Sequence, residues 1–360
     1  YYGGAEFADC VEQLAIDRAC KLFRCRYANV QPHSGSNANQ AAYLALLDDG
    51  DTILSMDIAS GGHISHGHPA TQTGRRYQIV FYGVSPKDEC IDYDEICELA
   101  IEHRPRLIIA GGSSYSRIID FPVLAEIAAE IGAFLMVDMA HFSGLVATGH
   151  YPSPFPHADV VTTTTYKSLR GGRGGIILSN DETIAEKIAV SVFPGVQGSV
   201  LIHAVAGKAV CLGEALKPEF REYNRSVLEN AKTLASKLNE LGFRIVSGQT
   251  DTGLMLVDLS SKGLTGAEAA ASLEKAGLAC NKNLIPFDPL PAETASGIRL
   301  SANAGTARGF GTKEFTRIAE WIVELLDGLS NEGKDRIAIE QRVRQQVKEL
   351  CKAFPIYPTL

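Results

Sequence analysis

The stretch DVVTTTTYKSLRGGRGGIILS, residues 159–179, decides how this chain is read. It begins with the β-branched pair Val160 and Val161, runs through four threonines at 162–165, breaks at a Gly/Arg loop, and resumes as the apolar run 175–179. β-branched residues suit a pleated, buried surface and clustered glycines interrupt strands, so the pattern predicts strand, loop, strand. Lys167 stands where the first strand gives way to the loop. A lysine desolvated beside hydroxyls and arginines holds its proton less tightly and becomes a candidate nucleophile toward a carbonyl. A surface lysine closing a strand is the other reading of this segment taken alone.

Further strands are expected upstream at 28–30, 52–56, 78–82, 106–110 and 133–138. They alternate with helices over 5–26, from the segment 31–39 onward, up to about His103, and over 122–132. Short apolar strands alternating with helices indicate an α/β sheet covered on both faces, though not necessarily a wholly parallel one. Beyond Cys211 the texture changes. A charged amphipathic helix near 219–241 is followed by strands near 243–247 and 253–259, helices near 266–276 and 312–329, and a polar helix near 332–352. We therefore expect a large domain over 1–212 and a smaller α+β domain over 213–360.

Composition removes whole classes of function. At 360 residues the chain can bury a large core without disulfide or metal staples, and about two domains are expected at ~150 residues each. The net charge of −8 disfavours a general polyanion binder such as a nucleic-acid protein. No apolar run approaches the ~20 residues of a membrane span. The eight cysteines form no C-x-x-C pair and fit neither a zinc site nor a secreted disulfide framework, so most are expected to be buried thiols of a cytoplasmic protein. The 34 glycines fall largely in short clusters, where turns and close approach to a ligand compete as explanations. The chain begins YYGG, without Met, which suggests truncation upstream.

Four more positions join Lys167. Asp138 ends an apolar strand, where open α/β sheets place ligand-binding groups, and a buried carboxylate there needs a cationic partner. A protonated pyridine nitrogen, as in pyridoxal 5′-phosphate (PLP), is such a partner; a helix cap or metal ligand is the alternative. Ser34, Gly35 and Ser36 lie between a strand and a helix, where free N–H groups hold anions or simply cap the helix. His63 follows a Gly-Gly pair and can stack on a flat ring or serve the structure. Arg299, on the apolar run 296–300, invites a carboxylate, from a substrate or from the protein itself. In this order they are the parts of a PLP enzyme acting on an amino acid, with no metal.

The segments YYGGAEFADCVEQLAIDRA, YANVQPHSGSNANQAAY, GGHISHGH, VDMAHFSGLVATG, VVTTTTYKSLRGGRGG, SVFPGVQGSVLIHAVAGKAV and SGIRLSANAGTARGF resemble the serine hydroxymethyltransferase family across nearly the whole chain. The resemblance implies a three-layer αβα PLP-dependent transferase fold and a homodimer or dimer of dimers with shared active sites. It implies exchange of a one-carbon unit between serine and tetrahydrofolate, leaving glycine. It makes Lys167 the Schiff-base lysine, Asp138 the partner of the pyridine nitrogen, His63 the ring-stacking imidazole, and Ser34, Gly35 and Ser36 the phosphate cradle. Ser113 and His141 match the pair near the cofactor's phenolic oxygen and the substrate, and Thr164 matches a strand threonine near the lysine. Arg299 matches the substrate-carboxylate clamp, Tyr2 a substrate-site tyrosine, Arg173 the arginine after the lysine loop, and Asn283 a folate contact. The loop 193–198, with Gly198, matches one that reaches the neighbouring subunit's phosphate.

The chain also departs from the family pattern. The family usually carries His where Tyr166 stands, Pro at Gly172, Gly at Ser199, and His at Gly253 and Ser60. Its substrate-site Glu and a further Tyr lie upstream of YYGG. Tyr166 puts a weak acid beside the reacting centre, at the position of the family's imidazole. Hydroxymethyl transfer to tetrahydrofolate is thus the expected activity. A folate-independent aldolase or transaldolase acting on a threonine-like or α-methylserine-like β-hydroxy amino acid is the alternative.

Overall fold

A computed structural model describes residues 3–330 and 336–356. Seven strands form the larger sheet: β1 (Tyr27–Asn29), β2 (Thr52–Met56), β3 (Gln78–Tyr82), β4 (Leu107–Ala110), β5 (Phe134–Asp138), β6 (Val160–Thr164) and β7 (Gly175–Ser179). Their order is β1-β7-β6-β5-β4-β2-β3. All pairs from β3 through β6 are parallel, whereas β7 runs antiparallel to both β6 and β1. The sheet is thus mixed, with β7 the reversed strand. β4, β6 and β7 are buried along their whole length, which is why their sequences read as apolar or threonine runs without alternation. Helices cover both faces and divide the surrounding apolar side chains into two clusters, one around Leu54, Ile108 and Val161, the other around Ile53, Ile109 and Val160. This is the three-layer αβα arrangement.

The smaller sheet has the order β10-β11-β9-β8, all antiparallel, built from β8 (Arg244–Ile245), β9 (Leu254–Asp258), β10 (Asn281–Asn283) and β11 (Gly297–Ser301). Its core gathers Phe243, Met255, Val257, Ile298, Trp321 and Leu326. The helix Pro218–Glu240 belongs to both cores, giving Phe220, Tyr223 and Val227 to the first and Ala231, Leu234 and Leu238 to the second. The boundary expected at 212/213 falls inside the helix Ile202–Ala215, which packs on Glu6–Phe23 of the large layer. A boundary read along the helix Pro218–Glu240 follows the cores more closely.

Helix starts follow local chemistry. Asp92, Asp120 and Asp181 each accept a backbone N–H in the first turn, and Thr265 with Glu268 forms a reciprocal capping box. The helices Glu182–Val190 and Ile202–Ala215 and the strand β10 are additions to the sequence reading. The expected polar helix appears as Arg336–Ala353, and its expected start at 332–335 lies outside the described residues. Cysteine burial needs correcting: only Cys25 and Cys211 are buried, Cys10 is exposed and the rest are intermediate, with Cys20, Cys97, Cys280 and Cys351 packed at the margins of the cores rather than inside them. No helix among the described residues is long and apolar enough to cross a membrane.

Candidate active site

The parallel strands deliver chemistry to one edge of the sheet. Asp138 is the last residue of β5, Thr164 the last of β6, and Gly175, the first of β7, pairs with Thr164. The turns after β1, β2 and β4 bring residues 34–36, His63 and Ser113 to the same edge. This is where open α/β sheets bind ligands, outside the carboxyl ends of the strands. A cavity of about 150 Å³ there is lined by Ser34, Gly35, Ser36, His63, Ser113, Asp138, His141, Thr164, Tyr166, Lys167 and Arg173, among others. A second, of about 440 Å³, shares His141, Tyr166 and Lys167 with it and adds Arg299 from the smaller sheet. Residues far apart in sequence are therefore brought together.

The cavity floor is a buried polar network. Asp138 Oδ2 accepts from His66 Nε2 at 3.0 Å and from Asn39 Nδ2 at 2.9 Å, and its Oδ1 accepts the Ala140 N–H at 3.1 Å. Burial alone would raise this carboxyl's pKa. The hydrogen bond and charge of His66, with Asn39, more than offset that and hold it below the usual carboxylate range. Because an ionised carboxylate only accepts, His66 Nε2 is the donor. Asn39 also donates to Ser65 Oγ at 2.9 Å and accepts from Thr162 Oγ1 at 2.7 Å, so its amide orientation is fixed.

His63 stands over this floor. Its Nδ1 accepts from the Ser65 N–H at 3.1 Å and lies 2.7 Å from Ser65 Oγ. Burial first, and then His66, push its pKa down to about 4 against the pull of Asp138, so the ring is neutral at neutral pH. Burial, followed by Lys167 and Arg299, likewise holds His141 well below its ordinary value.

Lys167 follows β6 by three residues. Burial lowers its pKa, Asp138 opposes that, and Arg299 and Arg173 reinforce it. The Arg173 guanidinium lies 4.3 Å from the centre of the Tyr166 ring, which fixes the aromatic face beside the lysine. Arg299, on β11, donates through Nη1 to the Ser113 carbonyl at 2.7 Å and through Nε to Asn281 Oδ1 at 3.1 Å. These bonds aim the guanidinium while leaving donors for a ligand. Asn283 Nδ2 reaches Ser114 Oγ at 3.4 Å, a second tie between the two sheets, and lines neither cavity.

The anion end is formed at the start of the helix Gly35–Leu46. Ser34 Oγ caps it, accepting the Asn37 N–H at 3.2 Å. A Cβ added at Gly35 would lie 2.7 Å from Thr164 Cγ2, so only glycine lets the helix start approach the β6 end this closely. Thr164 Oγ1 is buried and has no hydrogen-bond partner. Around the two cavities Lys167, Arg170, Arg173 and Arg299 face a single carboxylate among the described residues, Asp138. A cationic cavity with a free buried hydroxyl, a helix N-terminus at one end and a carboxylate on the floor fits a ligand with two anionic groups and one cationic ring nitrogen. PLP joined to an amino acid has that pattern.

Besides Asn283, one expected position among the described residues lies off both cavities. Gly198 is exposed and off its lining, in the segment after the helical turn Ser191–Val196. Tyr2 lies outside the described residues. Two site residues had no assigned role in the sequence reading, Asn39 and His66. Asn39 is the polar residue among the buried alanines 38, 41, 42 and 45 of its helix, and His66 stands three after His63. Those placements are the signals that could have found them.

Residues 1–322 match the family model described as serine hydroxymethyltransferase. The serine hydroxymethyltransferase of Rhodospirillum centenum is 58% identical over 360 residues, covering 100% of this chain and 84% of that protein. That of Jannaschia sp. is 56% identical over 361 residues, covering 100% and 82%. Serine hydroxymethyltransferase 2 of Rhodospirillum rubrum is 56% identical over 357 residues, covering 99% and 83%.

Proposed function

The chain belongs to the serine hydroxymethyltransferase family, PLP-dependent transferases that interconvert serine and glycine, and on that premise we propose how its own residues divide the work. The observation that carries the reading is the convergence of Lys167, Asp138, His63 and the 34–36 cradle at one sheet edge, with Arg299 across the adjoining cavity. Ser34, Gly35 and Ser36 hold the phosphate of PLP at a helix N-terminus, where backbone N–H groups and the helix dipole favour a dianion. Asp138, kept ionised by His66 and Asn39, holds the proton on the pyridine nitrogen. His63 covers one ring face, and Ser113 and His141 flank the phenolic oxygen and the substrate. Bound there, the cofactor supplies an electron sink for negative charge developing at the amino acid's α-carbon.

The remaining residues act on the amino acid. Arg299 takes its carboxylate by paired N–H donors and so fixes which α-carbon bond stands across the ring. Lys167, with its proton loosely held, is the covalent attachment point and afterwards a proton carrier. Thr164 Oγ1, buried and unpaired, gives the lysine or the ligand a hydrogen-bond partner. Tyr166 borders the reacting groups, Arg173 orients Tyr166, Tyr2 matches the family's substrate-site tyrosine, and Asn283 contacts the tetrahydrofolate that accepts the one-carbon unit. The exposed segment containing Gly198 reaches the phosphate site of a second copy in a homodimer or dimer of dimers, and the protein works in the cytoplasm.

Tyr166 supports the second reading, a folate-independent aldolase, because a stacked phenol stands where the family's imidazole is expected. Serine cleavage measured with and without tetrahydrofolate separates the two. We expect the folate to raise the rate by at least about 10²-fold, with threonine and α-methylserine turned over more slowly. Equal cleavage in both conditions points instead to the aldolase.

A further inference from the structure

Lys208 is among the most deeply buried charged side chains of the described residues, 1% exposed on the helix Ile202–Ala215. Its Nζ donates to the carbonyls of Val30 at 2.5 Å, Pro32 at 2.9 Å and Gly175 at 3.0 Å. Three ammonium hydrogens meet three acceptors, and no carboxylate among the described residues pairs with it. Burial moves its pKa down to about 8, with Glu12 opposing.

The three carbonyls share a location. Val30 follows β1, Pro32 precedes Ser34 by two residues, and Gly175 opens β7 beside the end of β6. The Gly175 N–H also donates to Pro32 O at 2.9 Å. A Cβ at Gly175 would lie 2.3 Å from Ser34 O, and one at Gly174 would lie 2.1 Å from Lys208 Cε. From the other side, Gln197 donates to Gln31 O at 2.9 Å and accepts the His33 N–H at 3.2 Å. The turn 30–33, which follows β1, is held by these side chains together with the Gly175 N–H.

We propose that Lys208 is a positioning residue for the anion cradle: its ammonium is a tethered cation that pins the turn before Ser34 to the start of β7, and so sets where residues 34–36 meet a phosphate. Without it the buried carbonyls of Val30 and Gly175 lose the ammonium donor, Pro32 O keeps only the Gly175 N–H, and the turn shifts to find others. Three acceptors converging on one point suit a compact ammonium better than a planar guanidinium. The proposal rests on the reading of residues 34–36 as the phosphate cradle.

The test titrates cofactor-stripped protein with PLP and, in parallel, with pyridoxal, which has the same ring without the phosphate. Wild type should prefer PLP. In Lys208→Met the PLP dissociation constant should rise by about tenfold or more, while that for pyridoxal changes by less than about twofold. Equal weakening of both aldehydes, or an unchanged PLP affinity, overturns the proposal. Should Lys208→Met not fold, Gly174→Ala keeps the charge and drives a Cβ onto the lysine stem, with the same expectation and the same overturning results. Wild type with no preference for PLP sinks the cradle reading itself, which separates that failure from a failure of Lys208.

Discussion

Lys167→Ala should lower kcat for serine cleavage by at least about 10³-fold while the protein stays folded and still takes up PLP. The size follows from what Lys167 alone provides. It is the amine at the end of β6 inside the shared part of both cavities, and burial has loosened its proton. Neither the other buried lysine nor the imidazole in both cavities can replace it. Lys208 spends all three hydrogens on carbonyls. His141 lines both cavities but carries no primary amine to form the bond to the cofactor. Folding should survive because the Lys167 side chain makes no hydrogen bond among the described residues, and its backbone carbonyl, which accepts the Arg170 N–H, is kept in alanine. The turn after β6 is closed by Thr165 N–H to Gly174 O at 3.1 Å and Gly171 N–H to Thr165 O at 2.7 Å. Cofactor uptake should survive because the cradle and Asp138 lie on other elements. The check is kcat at saturating PLP beside a thermal melt; a variant within tenfold of wild type would refute the assignment.

Asp138→Asn should lower kcat by roughly 10²–10³-fold, because a neutral amide no longer favours a proton on the facing ring nitrogen. It also has a stability signature. The folded carboxyl sits below its ordinary range and the unfolded one titrates near ~3.9. A group whose folded pKa is depressed stabilises the protein above the unfolded pKa, and that contribution is lost as the pH falls below it. The wild type should therefore lead the variant in Tm at pH 6, where His66 and Asn39 both favour a charged acceptor, and the lead should shrink toward pH 3. Thermal melts across that range check it. A Tm gap that widens on acidification contradicts the account of Asp138.

Strand positions and the chemistry at their ends were legible because both rest on local sequence. The apolar runs at 52–56 and 78–82 became β2 and β3 with those bounds, and Lys167 and Asp138 stand out as charged groups at the ends of buried strands. What could not be read depends on distant partners. The reversal of β7 is set by where its loop lands, not by its apolar side chains. β10, the polar Asn281–Asn283, is a strand only because β11 pairs with it along one edge. Asn39 and His66 acquire their roles by meeting a carboxylate 99 and 72 residues further along the chain. The helix Pro218–Glu240 has one continuous amphipathic pattern while serving two cores in turn, so its sequence alone does not show where one core gives way to the other.

The central claim is that PLP is held on Lys167, and peptide mapping after borohydride reduction of the PLP-loaded protein tests it most directly. Reduction makes the bond between the cofactor and whichever lysine carries it permanent. We expect the label on the peptide containing Lys167, displaced when serine or glycine is present at saturation. A label on Lys208 or another lysine, or one that the amino acids leave in place, would contradict the account.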